Sequence, residues 1–276
     1  MSDNRPVGVF DSGLGGLTVL SEIRKLLPAE DLVYFGDSGR TPYGTKSPET
    51  IARYTLQDVN FLLLKDVKAV VIACNTATAC GLSGVREKYP ELPVIGVIGP
   101  GARAAVKATR SGRIGVIGTP ATISSMVYHR AIHEAADAAG RTVSCYGKSC
   151  PLFVPLAEEG WWDRDVTRLT AREYLTELRD KDIDTLVLGC THYPLLAGVI
   201  GNVMGPGVYL VNSASVVALE LEKVLYSAGL ANSASSAASG SVSFYCSDSA
   251  EKFGQLGSLF LGTAISGVEK INIEAY

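Results

Sequence analysis

The chain has 276 residues, of which 47% are hydrophobic and 19% charged, with 29 glycines. That composition describes a folded chain with large buried sheets and excludes intrinsic disorder. A formal net charge of -3 supplies no basic field for nucleic acid, and no apolar run approaches the ~20 residues of a membrane span, so no nucleic-acid or membrane partner is expected.

The first six residues lack the charged start, apolar stretch and cleavage site of an export signal. The expected location is cytoplasmic. In a reducing cytosol the six cysteines, Cys74, Cys80, Cys145, Cys150, Cys190 and Cys246, should be thiols. None forms a Cys-x-x-Cys pair, so no structural zinc is expected.

In chain order, strands are expected at residues 7–11, 32–36, 67–73 and 93–98, with helices at about 17–27, 48–64 and 78–88 between them. This βαβαβαβ order is that of a parallel sheet covered on both faces. The cadence restarts with a strand at 113–119, a helix over 120–138, a strand at 142–146, a helix near 164–179 and a strand at 185–189. A strand at 208–211 and a helix at 215–228 follow. Residues 231–241 are small and polar and read as a mobile surface loop, and a strand at 242–246 and a helix at 250–261 close the chain.

The halves can be laid over each other, with Val9-Phe10-Asp11-Ser12 on Val116-Ile117-Gly118-Thr119 and Cys74 on Cys190. The expected fold class is therefore α/β, with two similar parallel-sheet domains. The first holds residues 1–98 plus 211–276, the C-terminal segment returning to it, and the second holds 99–210.

Cys74 and Cys190 each follow a short apolar run and precede a polar residue. A thiol at the carboxyl end of a buried strand sits where open α/β sheets bind ligands, and a helix beginning there favours the thiolate. Cys80, Cys145, Cys150 and Cys246 have the surroundings of inert core cysteines. His192, two residues past Cys190, is placed to hold or accept a proton. His129 and His133 share a helix face, but Arg130 stands where a His-Glu-x-x-His metal site needs glutamate, and they read as surface residues.

The loop Asp11-Ser12-Gly13-Leu14-Gly15-Gly16-Leu17-Thr18 lies where a dinucleotide site puts its glycines, and Asp37 could serve as its ribose-binding acid. However, the third glycine would fall at Thr18, and Asp11 and Ser12 stand where a pyrophosphate needs uncharged backbone. The same loop suits a small carboxylate better. The turn-rich segment Gly36 to Gly44 lies at the same sheet edge and forms a candidate wall or lid.

These residues together resemble glutamate racemases, the cofactor-independent two-cysteine enzymes of the aspartate/glutamate racemase superfamily. The resemblance is carried by the segment from Phe10 to Thr18, by Pro42-Tyr43-Gly44, Ala73-Cys74-Asn75-Thr76-Ala77 and Gly115-Val116-Ile117-Gly118-Thr119, and by Leu188-Gly189-Cys190-Thr191-His192-Tyr193-Pro194-Leu195. It implies an active site at the interface of two α/β domains, a homodimer, glutamate as the small-molecule substrate and D-glutamate supply for peptidoglycan. It implies no metal and no cofactor. Cys74 and Cys190 would be the catalytic acid/base pair, with Asp11, His192 and Glu158 assisting. Asp11, Ser12, Tyr43, Gly44, Asn75, Thr76, Thr191 and His192 would bind substrate. The chain departs from the family at Asn212-Ser213, where Asp-Ser is usual, and in its long Ser/Ala-rich loop.

Racemisation needs one thiolate to remove the α-proton and one thiol to deliver a proton to the opposite face. Aspartate racemisation is the alternative within the superfamily. Outside it, a two-cysteine redox protein would need thiols close enough to bridge, and a two-lobed amino-acid binding module needs no cysteines.

Overall fold

The structure is a computed structural model that describes residues 3–232 and 239–276. Its residues form two compact units, one reaching to Val97 and resuming at Ala214, the other comprising Ile98–Ser213. The first unit opens with β1 (Val7–Asp11), α1 (Leu17–Leu26), β2 (Leu32–Gly36), α2 (Pro48–Leu63), β3 (Ala69–Ile72), α3 (Asn75–Lys88) and β4 (Val94–Gly96). The second contains α4 (Ile98–Ala108), β5 (Arg113–Gly118), α5 (Pro120–Ser124), α6 (Val127–Ala138), β6 (Ser144–Ser149), α7 (Phe153–Glu158), α8 (Asp165–Arg179), β7 (Thr185–Gly189), α9 (Ala197–Met204) and β8 (Tyr209–Asn212). The chain then runs through α10 (Ser213–Ser227), β9 (Val242–Cys246), α11 (Ala250–Leu261) and β10 (Glu269–Lys270).

The first sheet has the order β10-β9-β2-β1-β3-β4 and the second β6-β5-β7-β8, with every described pair parallel. β9 joins the first sheet beside β2, from Leu32↔Val242 to Gly36↔Cys246. The central strands β1, β2, β3 and β7 are buried along their whole length, as parallel strands covered by helices on both faces must be. In the first unit α1 packs against α11 and α2 against α3; in the second α4 packs against α6 and α8 against α9. Among the described residues no helix is long and apolar enough to cross a membrane.

Four strands of the first sheet, β2-β1-β3-β4, share the topology of the second. β1 lies between β2 and β3 as β5 lies between β6 and β7, so each sheet has a switch point at the carboxyl end of its first strand. The register repeats as well: Phe10 pairs with Ile72, two residues before Cys74, and Ile117 pairs with Leu188, two residues before Cys190.

Where caps are written in the sequence, helix boundaries follow them. Ser249 caps α11 by accepting from Lys252 N–H (3.2 Å), and Gly262 closes it in the left-handed region. The single helix expected over 120–138 is broken instead. Met126 has φ 57°, and Ser125 Oγ donates to Thr122 O (2.7 Å) while accepting from Val127 N–H (3.3 Å), a side-chain competitor for the helical ladder. α4 begins at Ile98, the last residue of the expected strand 93–98, and holds Pro100 in its first turn, where no intrahelical N–H is needed, with Ile98, Ala102, Ala105 and Val106 buried. α7, α9 and β10 are likewise additions to the expected elements. Residues 233–238 of the small polar stretch lie outside the described residues. Its flanks are anchored, Asn232 N–H on Glu30 Oε1 (2.7 Å) and Ser241 N–H on Asp31 Oδ1 (2.7 Å).

Candidate active site

In the first unit, the parallel order of β2, β1 and β3 brings Asp37, Asp11-Ser12 and Cys74 to one sheet edge. Cys74 is the N-cap of α3: its sulfur accepts from Ala77 N–H (3.4 Å), and its thiol donates to Ser12 Oγ (3.6 Å). A donor and the positive end of a helix at the sulfur both favour the thiolate. Asn75 and Thr76 form the first turn of the same helix and are buried. Asp11 is fully buried, accepts from Gly13 N–H at Oδ2 (3.0 Å), and its main-chain carbonyl receives Asp37 N–H (3.0 Å).

Tyr34, which the sequence reading passed over, supports this loop by donating to Gly13 O (3.0 Å). Burial first, then the charges of Asp11 and Cys74, push its hydroxyl well above its ordinary range, so it stays a donor. Gly16 is required here by close approach. A Cβ at that position would lie 2.5 Å from Asp11 Cβ and 2.8 Å from Tyr34 Oη. Gly84, inside α3, has open space around it. Gly16→Ala should therefore cost about 1–3 kcal/mol by overpacking, whereas Gly84→Ala should add about 0.4–1 kcal/mol by restricting the unfolded chain. Urea unfolding of the two variants checks the opposite signs.

The second unit has the same strand-end thiol with a different partner. No α-helix begins at Cys190; a 3₁₀ turn, Tyr193–Leu196, follows it and α9 starts only at Ala197. The expected helix N-terminus is absent because Pro194 and the short turn intervene. The positive group is a side chain instead: Cys190 Sγ lies 3.7 Å from His192 Nδ1, and His192 Nε2 lies 3.1 Å from Glu158 Oε1. Burial alone would push His192 down, but its hydrogen bonds to Cys190 and Glu158, and their charges, outweigh burial and hold the imidazolium up to about 10.

Glu158 ends α7 with its side chain 33% exposed, while the neighbouring Glu159 is exposed. Aromatic packing sets that reach. Phe153, at the start of α7, meets the Tyr193 ring edge-on with centroids 5.3 Å apart, and Tyr193 Oη donates to Cys150 O (2.8 Å). Thr191 is buried beside Cys190, and Thr119 caps α5 at the end of β5, where Ser12 stands in the first unit. Asn212 ends β8 in register with Leu188.

The remaining cysteines are thiols whose burial raises them, Cys145 and Cys150 to about 12 and Cys80 and Cys246 also upward. Cys80 and Cys145 are only partly buried. His133 is exposed, as expected, whereas His129 is partly buried. Tyr43 and Gly44 are both buried in a 3₁₀ turn, and the Tyr43 side chain is engaged with Asp37 and Asp58.

Residues 7–221 match the Asp/Glu/Hydantoin racemase family. The chain belongs to that family. It is 49% identical over 271 residues to a glutamate racemase of Geobacter metallireducens, covering 98% of each chain. A solved glutamate racemase of Francisella tularensis, in complex with D-glutamate, superposes with a TM-score of 0.91 at 38% identity, over 99% of this chain and 100% of that one. An aspartate racemase of Picrophilus torridus is 17% identical with a TM-score of 0.51, a likeness of fold alone. Two parallel α/β sheets are thus a property this chain shares with its racemase family.

Proposed function

We propose that this chain interconverts L- and D-glutamate, with Cys74 and Cys190 acting on opposite faces of one α-carbon. The observation that carries the reading is the repeated register, which sets each thiol two residues past a matched strand pair and gives each its own stabilising group. Relatives bearing the name glutamate racemase at up to 49% identity favour glutamate over aspartate, whose racemases stand far off.

In the proposed reaction one cysteine, as thiolate, takes the α-hydrogen as a proton and becomes a thiol. The pair of electrons left on carbon is captured by the proton of the other cysteine, on the opposite face, which becomes the thiolate. The sum of protons on the enzyme is unchanged, and the reverse reaction starts from that state. At Cys190 the imidazolium of His192 neutralises the thiolate, and Glu158 holds the ring. Asp11 is placed to assist Cys74, and Asp11, Ser12, Tyr43, Gly44, Asn75, Thr76, Thr191 and His192 bind the substrate, whose carbanion-like transition state needs donors preorganised around its carboxylate. Pyridoxal phosphate and metal are not required by this scheme. The family resemblance supports a cytoplasmic homodimer that supplies D-glutamate for peptidoglycan.

Circular dichroism of L-glutamate, D-glutamate and both aspartates, with no added cofactor, tests the reading. Glutamate ellipticity should decay to zero from either side, and the rate should survive chelator and a carbonyl-trapping reagent. Faster decay of aspartate, or loss of activity under either treatment, would overturn it.

A further inference from the structure

The segment carrying Tyr43 and Gly44 is pinned by buried charges of the first unit. Asp37, just past β2, and Asp58, on α2, have side chains withdrawn from solvent, and the Tyr43 hydroxyl meets Oδ2 of both. Arg40 joins the same carboxylates, Nε to Asp37 Oδ2 at 2.6 Å and Nη2 to Asp58 Oδ1 at 2.9 Å. Its Nη1 reaches Gln57 Oε1 (2.6 Å) and, at the surface, Glu274 Oε1 (3.3 Å), and the Tyr54 ring lies 4.0 Å from its Cζ.

A phenol carries one proton, so Tyr43 can donate to one carboxylate, and the second contact needs a proton of its own. Asp37 is not its source. Its Oδ2 receives Arg40 Nε–H, and its Oδ1 receives the hydroxyl proton of Ser247 (2.7 Å), whose oxygen already accepts from Gly39 N–H (2.8 Å). At Asp58, Oδ1 receives Arg40, while Oδ2 has only Tyr43 as its partner among the described residues. Two ionised aspartates would also leave a net negative charge buried around Arg40, whose side chain is 9% exposed. Burial first, then the Asp37 charge, push the Asp58 carboxyl well above its usual range, against the pull of Arg40 and Tyr43.

We propose that Asp58 is a neutral carboxylic acid donating Oδ2–H to Tyr43 Oη, that Tyr43 donates to ionised Asp37, and that this directed chain makes Asp58 a positioning residue for the substrate-binding Tyr43–Gly44 turn. The last clause rests on the glutamate reading above; the location of the proton does not.

Asp58→Asn reproduces the arrangement, Oδ1 accepting from Arg40 and Nδ2–H donating to Tyr43. The parent's Asp58, raised in the folded state, contributes stability that is complete below the unfolded carboxylate value of about 3.9 and is lost as pH rises toward its folded value. The asparagine has no such loss. The melting temperature of Asp58→Asn minus that of the parent should therefore rise between pH 5 and 8 by several degrees, and the parent's infrared carbonyl band of a protonated carboxylic acid should vanish in the variant. A difference that is flat or falls with pH, or a parent spectrum without that band, overturns the proposal. In the racemase assay Asp58→Ala should raise KM about tenfold with little change in kcat, and Asp58→Asn should restore KM. Unchanged KM in Asp58→Ala overturns the positioning role. If the parent racemises no glutamate, the functional reading falls, and the melting and infrared results still decide where the proton lies.

Discussion

Replacing either strand-end cysteine by serine should reduce glutamate racemisation about 10³-fold, or about 4 kcal/mol of transition-state stabilisation. A serine hydroxyl at position 74 would still receive Ala77 N–H at the helix end, and one at 190 would still face His192, but neither hydroxyl ionises in the working pH range. Because the two enantiomers are equal in energy, kcat/KM must fall equally in both directions. The variants are told apart by isotope exchange. Cys74→Ser keeps Cys190 able to take and return a proton on one face, so one enantiomer should gain deuterium from D₂O at its α-carbon without inverting. Cys190→Ser should exchange the other enantiomer. Mass spectra of recovered L- and D-glutamate give the answer, and exchange of the same enantiomer by both variants would remove the two-face assignment.

The second large effect concerns the Cys190–His192–Glu158 relay. His192 is held up to about 10 because two partners outweigh burial. Glu158→Gln withdraws the charge of one, so the alkaline limb of kcat should move down by about one pH unit, about 1.4 kcal/mol. Rates from each enantiomer between pH 6 and 10.5 measure it, and a limb that stays in place would make Glu158 a structural residue. His192→Asn should lower kcat more than it raises KM. The same coupling sets a stability window. With its folded value above the unfolded one of about 6.5, His192 contributes stability that is complete below that pH and is lost as pH rises through about 10. The parent's melting temperature should fall across that interval, and that of Glu158→Gln should fall less.

Cys74 and Cys190 were legible because a polar residue closing a short apolar run marks the mouth of a buried strand, and that pattern is local. The strands β1, β2, β7 and β9 and the helix α11 were legible for the same reason: period, caps and turn residues are written side by side along the chain. α4 was hidden because Gly99-Pro100-Gly101 carries turn chemistry, and the fold overrides it by burying Ile98, Ala102, Ala105 and Val106. Glu158 was already indicated by the family resemblance, but its contact with His192 was not, because that contact joins residues 34 apart in the chain and depends on how α7 packs through Phe153 on Tyr193.

The doubled α/β plan and the two thiols at matching strand ends are written along the chain, since hydrophobic period and motif spacing are properties of neighbours. A helix end was expected at both thiols; folding kept it at Cys74 and replaced it at Cys190 by an imidazolium that a distant carboxylate holds in place. The tertiary structure alone placed Asp37, Arg40, Tyr43 and Asp58 in one buried cluster. Contacts between residues distant in the chain, and the protonation states that burial imposes on them, exist only once the strands have paired and water has been excluded.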